Sequence, residues 1–277
     1  MMSYIQWNIT PEIIPGFEYL RWYGLCWVIG LMVGYRLMQH FYKKATIDIQ
    51  ELDHLTTYLV VGIIVGARLG HIIFYDPLHY LQNPIEILPI KIDPEFRFTG
   101  FTGLASHGGI AGALLALYLY HRKYGTSYAW LSDRLMIAGV ATGGFIRLGN
   151  LVNSEIIGTP TDVPWAFIFT RIDDIPRHPA QLYEALFYFA LCIGLYLLWK
   201  SNRYSQQKGF IFGLGLLLIF IQRFLIEFVK ENQMSFEDGL TLNMGQMLSV
   251  PMMIAGLIII IMSYRKRPIE TESISAS

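Results

Sequence analysis

The stretch ATGGFIRLGNLVNSEIIG, Ala141 to Gly158, is apolar and glycine-rich, yet it contains Arg147, Asn150, Asn153 and Glu155. No lysine accompanies them to suggest an ordinary charged surface. An arginine at the centre of a bilayer-spanning helix costs roughly 3 kcal/mol or more, so a chain that keeps one there has a wet, paired or anionic place for it. Whether this run lies in a bilayer is answered by its surroundings. The chain of 277 residues is 53% hydrophobic and 15% charged, where an ordinary soluble protein carries about 25% charged residues. Several runs also reach the roughly 20 apolar residues that a spanning helix needs. A large soluble all-helical core is the weaker alternative.

Working outward, seven spans can be placed: 19–41, 52–75, 101–120, 131–152, 181–199, 210–228 and 247–264. Lys43 and Lys44 follow the first, Arg122 and Lys123 the third. Lys200, Arg203 and Lys208 separate the fifth from the sixth, and Arg265, Lys266 and Arg267 follow the seventh. All four basic clusters fall on one side, which the positive-inside rule makes cytoplasmic. The N-terminus is then outside and the C-terminus inside. The outer connections, 76–100, 153–179 and 230–245, are the longer ones and supply a small cap. Within the second of them, 165–169 reads as a short strand ended by a turn at Asp173 and Asp174. The expectation is an all-α polytopic membrane protein of about seven transmembrane helices, with residues 1–264 as one membrane domain and 265–277 as a basic, then polar, cytoplasmic tail. The start, MMSYIQWNITPE, lacks the pattern of a cleavable signal peptide, so the first span does the targeting.

Other classes fall away. A formal net charge of zero gives nucleic acid no electrostatic footprint. Cys26 and Cys192 lie in apolar runs and read as small hydrophobes. Metal catalysis is disfavoured, with no His-Glu-x-x-His segment and no close cysteine–histidine set. Glycines four apart (Gly30 and Gly34; Gly62, Gly66 and Gly70; Gly108 and Gly112; Gly139 and Gly143) mark faces where helices approach closely.

The polar residues left in the spans are candidates for chemistry. Arg147 and Arg223 fall in the outward halves of their helices, where two planar guanidinium groups suit a phosphate. The alternative is a pair of interhelical salt bridges, with Glu155 and Glu227 as partners. Asn150, three residues after Arg147, shares its face if the helix continues. His107, in TGLASHGGIAGA, either works as an acid or base or bonds a neighbouring helix. Tyr23 in RWYG is either an interfacial anchor or a site hydroxyl. Arg68 either snorkels or makes a structural bond.

Taken in order, RWYG, GARLGHIIFY, SHGGIAGA, RLGNLVNSEIIG, RHPAQLYE, RFLIEFVK and LNMGQMLSVPMMIAG resemble the prolipoprotein diacylglyceryl transferases of bacterial inner membranes. The resemblance implies transfer of the diacylglyceryl group of phosphatidylglycerol to the lipobox cysteine of preprolipoproteins at the periplasmic side, with release of glycerol 1-phosphate and no cofactor or metal. It places the family's functional residues on Tyr23, His107, Arg147, Asn150, Glu155, Gly158 and Arg223. It makes His178 to Glu184 a junction that supports the cap. There are two departures: Ile146 stands where a glycine usually precedes the first arginine, and Ile219 and Phe220 replace a Tyr-Gly pair. The competing functional class is a transporter or flippase for anionic lipids; a purely structural subunit leaves the outward charges without purpose.

Overall fold

A bilayer cannot hydrogen-bond an open backbone, so apolar runs of this length close their own hydrogen bonds as helices. The computed structural model describes residues 4–17, 20–88, 90–91, 97–98, 103–201, 204, 207–231 and 242–265. In it the long helices are α1 (Trp22–Lys44), α2 (Ile49–Phe74), α4 (Ser106–Tyr124), α5 (Tyr128–Asn153), α6 (Ala180–Lys200), α7 (Phe210–Ile226) and α8 (Met244–Arg265). A short α3 (Pro77–Gln82) follows α2. With the 3-10 turn that extends α7 to Val229 included, α2, α5, α6, α7 and α8 are long and apolar enough to cross a membrane. The seven expected spans each correspond to one long helix. The third differs most: its helix starts at Ser106, where 101 was expected, and 103–105 are not helical. Lys43 and Lys44 form the last turn of α1, where they complement the helix dipole. The tail from 266 onward and most of the third outer connection lie outside the described residues.

The chain divides into two compact units, 1–40 with 129–277, and 41–128. In the first, α5 is the most buried helix. Thr142 Oγ1 donates to the Gly30 carbonyl of α1 at 2.9 Å, so the small faces read from the sequence do meet here. Gly139 is an exception: a Cβ there would point into open space. At the other end of α5, Asp133 is buried and accepts from the backbone N–H groups of Gly209 (2.9 Å) and Phe212 (2.8 Å). It caps the first turn of α7 from a different helix, because Gly209 itself has no side chain to do so.

A small sheet lies past the end of α5. Strands β1 (Ile5–Trp7), β4 (Phe167–Phe169) and β5 (Pro176–Arg177) run in the order β1-β4-β5, with β1 parallel and β5 antiparallel to β4. Leu151, Ile157, Phe167 and Phe169 form its core, joined by Trp7 and Leu182. The Trp7 indole N–H donates to the Leu151 carbonyl at 2.9 Å. The strand expected at 165–169 is therefore present in its second half. Its partnership with the N-terminus was not foreseen.

In the second unit α2 and α4 pack glycine to glycine. A Cβ on Gly112 would overlap the Gly62 carbonyl oxygen, and one on Gly66 would overlap that of Gly108. Arg68 has the structural role: Nε donates to the Ile87 carbonyl at 3.0 Å, its Nη atoms to those of Glu86 and Gly103, and its guanidinium lies 5.1 Å from the centre of the Tyr80 ring. It ties down the connection after α2, which includes α3 and the antiparallel pair β2 (Ile90–Lys91) and β3 (Arg97–Phe98). Cys26 and Cys192 are free thiols.

Candidate functional site

Helix α5 runs unbroken to Asn153, so Arg147 and Asn150 do share a face. Past its end the chain turns sharply. Ser154 (φ 56°) and Ile156 (φ 59°) both adopt left-handed backbone conformations, a genuine outlier for a β-branched residue. Between them Glu155 is held from three directions. Its carboxylate accepts from Asn150 Nδ2 and Asn153 Nδ2, each at 3.1 Å, and its carbonyl accepts from Gln181 Nε2 at 2.5 Å. Ser154 and Gln181 are buried, and Ser154 Oγ and Gln181 Oε1 have no hydrogen-bond partner among the described residues.

The salt-bridge partner considered for Arg147 was Glu155. The ion pair falls instead to Glu184 on α6, with Nε 3.1 Å from Oε2. The approach lacks hydrogen-bond alignment, so that buried oxygen still has no donor among the described residues. The charges acting on Glu184 are Arg147, Lys230, Arg223 and Glu227, which places two guanidinium groups, one ammonium and two carboxylates in one field. Tyr188, one helical turn beyond Glu184, lies within the electrostatic reach of Arg147. Tyr23 lies at the start of α1 against the other side of the helix: a Cβ on Gly149 would sit 2.8 Å from its ring.

Arg223 and Glu227, four apart on α7 and its 3-10 extension, are only loosely paired, with Nη2 and Oε1 separated by 3.9 Å. Glu227 is occupied elsewhere: Lys230 Nζ is 3.1 Å from Oε1 and Asn243 Nδ2 donates to Oε2 at 2.9 Å. Asn243 is fixed by a reciprocal capping box at the start of α8, in which Gln246 N donates to its Oδ1 (2.9 Å) and its own N–H donates to Gln246 Oε1 (3.1 Å).

Gly158 is where two segments cross. It forms an antiparallel bridge with Lys230, flanked by Thr159 N–H to the Val229 carbonyl (3.0 Å) and Glu231 N–H to the Ile157 carbonyl (3.2 Å). Its carbonyl accepts from Arg177 Nη1. Arg177 also pairs with Asp173 and Glu231. Its guanidinium holds the Asp173 carboxyl below the usual carboxylate range, and burial lowers the His178 imidazole from its ordinary value.

The first unit thus contains Tyr23, Arg147, Asn150, Glu155, Gly158 and Arg223. His107 belongs to the second unit. It is exposed in the first turn of α4 and packs on Phe74 (5.1 Å, edge-on) and Tyr75 (6.0 Å, stacked). Sequence reasoning missed the direct role of Glu184, and Lys230, Asn243, Gln246 and Tyr188 altogether. Glu184 stands in RHPAQLYE, which was given only a supporting role, and the Asn-x-x-Gln spacing of a capping box is legible in NMGQ.

Long apolar helices and a buried field of paired charges define a helical membrane protein that keeps polar chemistry inside an apolar frame. The family model for prolipoprotein diacylglyceryl transferase matches residues 12–262. Phosphatidylglycerol–prolipoprotein diacylglyceryl transferases are similar across nearly the whole chain. The one from Bacteroides fragilis is 46% identical over 96% of this chain and 98% of its own length. That of Tolumonas auensis is 45% identical over 94% and 98%, and that of Chloroherpeton thalassium 41% over 98% of both. The chain belongs to the prolipoprotein diacylglyceryl transferase family.

Proposed function

We propose that the protein performs its family's reaction through the charge field of the first unit. It transfers the diacylglyceryl group of phosphatidylglycerol to the thiol of a preprolipoprotein cysteine in the bacterial membrane. The reaction is an alkyl transfer. The thiolate sulfur bonds to the glyceryl carbon, the carbon–oxygen bond to phosphate breaks, and glycerol 1-phosphate leaves with the electron pair. The observation that carries the site assignment is the distribution of partners: Glu184 is matched to Arg147 and Glu227 to Lys230, while among the described residues Arg223 has only a 3.9 Å ion-pair contact.

Arg223 and Arg147 bind the phosphate and stabilise the negative charge that grows on it as the bond breaks. Asn150 and Glu155 orient the headgroup. Tyr23 packs beside them, and Gly158 keeps the crossing behind them close. His107 takes the thiol proton directly or through water; only the thiolate is nucleophilic enough to attack. No tyrosine is available at Ile219, so the mechanism uses no hydroxyl there. In this reading the chain spans the membrane seven times, with the N-terminus and the sheet outside as a periplasmic cap and the C-terminus in the cytoplasm; the four basic clusters support this orientation.

The test uses purified protein, labelled phosphatidylglycerol and a lipobox peptide. Diacylglyceryl-modified peptide is expected, and folded Arg147→Ala and Arg223→Ala should lose most transfer. Normal activity in both variants would remove their catalytic roles. Full activity of His107→Gln across pH would reject it as an obligatory base. Lipid movement in proteoliposomes without peptide modification would favour a flippase.

A further inference from the structure

Arg223 and Glu227 have the i,i+4 spacing that ordinarily makes an ion pair on a helix, yet Nη2 and Oε1 stay 3.9 Å apart. The Arg223 side chain is 36% exposed and makes no hydrogen bond among the described residues. The reason lies on the carboxylate. Lys230 Nζ holds Oε1 at 3.1 Å and Asn243 Nδ2 holds Oε2 at 2.9 Å. Gly245 closes the pocket behind it: a Cβ there would lie 2.5 Å from Oε1 and 2.7 Å from the carboxyl carbon. Glu227 is therefore boxed in on three sides and cannot swing freely toward Arg223.

We infer that Lys230 is a positioning residue that occupies Glu227 so that Arg223 stays open for an anionic phosphodiester. The inference rests on reading Arg223 as a phosphate ligand. The two cations differ in the way this division of labour needs. The Lys230 side chain is 4% exposed, and a buried ammonium must keep its carboxylate, because an unpaired buried charge is strongly destabilising. Arg223 is partly solvated and can wait without a partner. Lys230 is delivered to its place by backbone pairing with Gly158, which in turn is pinned by Arg177. Gly158 therefore reaches the charge field through Lys230.

Without Lys230, Glu227 would be a buried carboxylate with Arg223 as its nearest cation. Closing that pair requires a shift of only about 1 Å to reach normal charge-assisted hydrogen-bond length. The phosphate would then compete with a carboxylate already in place. Removing that carboxylate as well should release Arg223 again. Lys230→Met is therefore expected to be harmful alone and repaired by Glu227→Gln, a reversal that loss of packing cannot produce.

The experiment measures transfer kinetics in nanodiscs of graded phosphatidylglycerol content with a lipobox peptide. Lys230→Met should raise KM for phosphatidylglycerol about tenfold or more, and Lys230→Met/Glu227→Gln should return it to within about threefold of the starting protein. In parallel, a dicarbonyl reagent specific for arginine should label Arg223 readily in the starting protein and the double variant, and poorly in Lys230→Met. An unchanged KM in Lys230→Met overturns the inference, as does a folded double variant no better than the single one. If Lys230→Met does not accumulate as folded protein, the double variant decides alone: folded and active supports the inference, folded and inactive overturns it. Arg223→Ala separates the two levels. If it is folded with a normal KM, the phosphate reading fails. If its KM rises while that of Lys230→Met does not, only the role of Lys230 fails.

Discussion

Gly158→Ala adds one methyl group at the crossing of two backbone segments. The glycine does not use a left-handed conformation, so alanine meets no conformational barrier and space alone decides the outcome. The new Cβ would overlap the His178 carbonyl oxygen on one side. It would also lie 2.6 Å from His178 Cβ and 2.7 Å from the Val229 carbonyl oxygen. Backbone atoms cannot rotate away, so the 157–159 segment must separate both from His178 and from the 229–231 segment. Such overpacking costs about 1–3 kcal/mol. If the functional arrangement bears that cost, kcat/KM falls about 5- to 150-fold. The displaced residue on the far side is Lys230, so the loss should appear largely in KM for phosphatidylglycerol. The assay is the peptide-transfer reaction, with thermal unfolding in detergent to show that the variant is folded. Transfer at the starting rate by folded Gly158→Ala would refute the reasoning. So would a fall in kcat with KM for the lipid unchanged, because the methyl group would then act on something other than Lys230.

Asp133→Ala should lower stability by about 2 kcal/mol, because it leaves two donors in the first turn of α7 without their acceptor; a drop of about 4–8 °C in the unfolding midpoint checks this. Gly112→Leu should prevent close packing of α2 on α4 and sharply reduce folded yield, whereas Gly139→Ala, facing open space, should be neutral or stabilising by up to about 1 kcal/mol; equal behaviour of the two in a thermal-shift assay would contradict the packing. Acid should loosen the sheet region in two steps. The His178 value is lowered, so the folded state favours neutral imidazole, and this contribution is full above about pH 6.5 and lost as pH falls through the lowered value. The Asp173 value is lowered by Arg177, so its contribution persists to below about pH 4 and is lost only on further acidification. Protection of the Ile168 and Arg177 amides, measured against the intrinsic exchange rate at each pH between 8 and 3, should fall in these two steps, and in Asp173→Asn the second step should vanish.

What the sequence disclosed depended on whether a signal was local. Spans are local: a run of apolar residues reports its own burial, and helices α5 and α6 differ from expectation by three residues or fewer at each end. The third span was placed too early at its start because GLA before Ser106 is as apolar as the helix that follows. The strand ending at Phe169 was legible from its aromatic run and the aspartates beyond it, where Asp173 Oδ1 does accept the Ile175 N–H at 3.1 Å. Strand β1 was not, because three residues show no period and their parallel partner is most of the chain away. At the site, spacing disclosed Arg147 with Asn150 because both lie on one helix. It could not disclose Glu184 as the partner of Arg147, since nothing in α5 specifies which acid a different helix brings. The Glu227 spacing does bring its carboxylate to Arg223, at 3.9 Å, but could not disclose that Lys230 and Asn243 take the closer positions on it.

The parallel pairing of β1 with β4 also orders the birth of the molecule. Ile5, Gln6 and Trp7 leave the ribosome long before Phe167 to Phe169, their hydrogen-bonding partners, which are made only after α5 is complete. Until then the first strand has nothing to pair with, and closing so long a loop carries an entropic cost that is repaid only when the sheet forms. Assembly of this sheet thus has to wait for β4, although β1 is made well before it. A bulky tag placed directly before Tyr4 would burden that closing step, whereas one placed after Arg265 would leave it untouched.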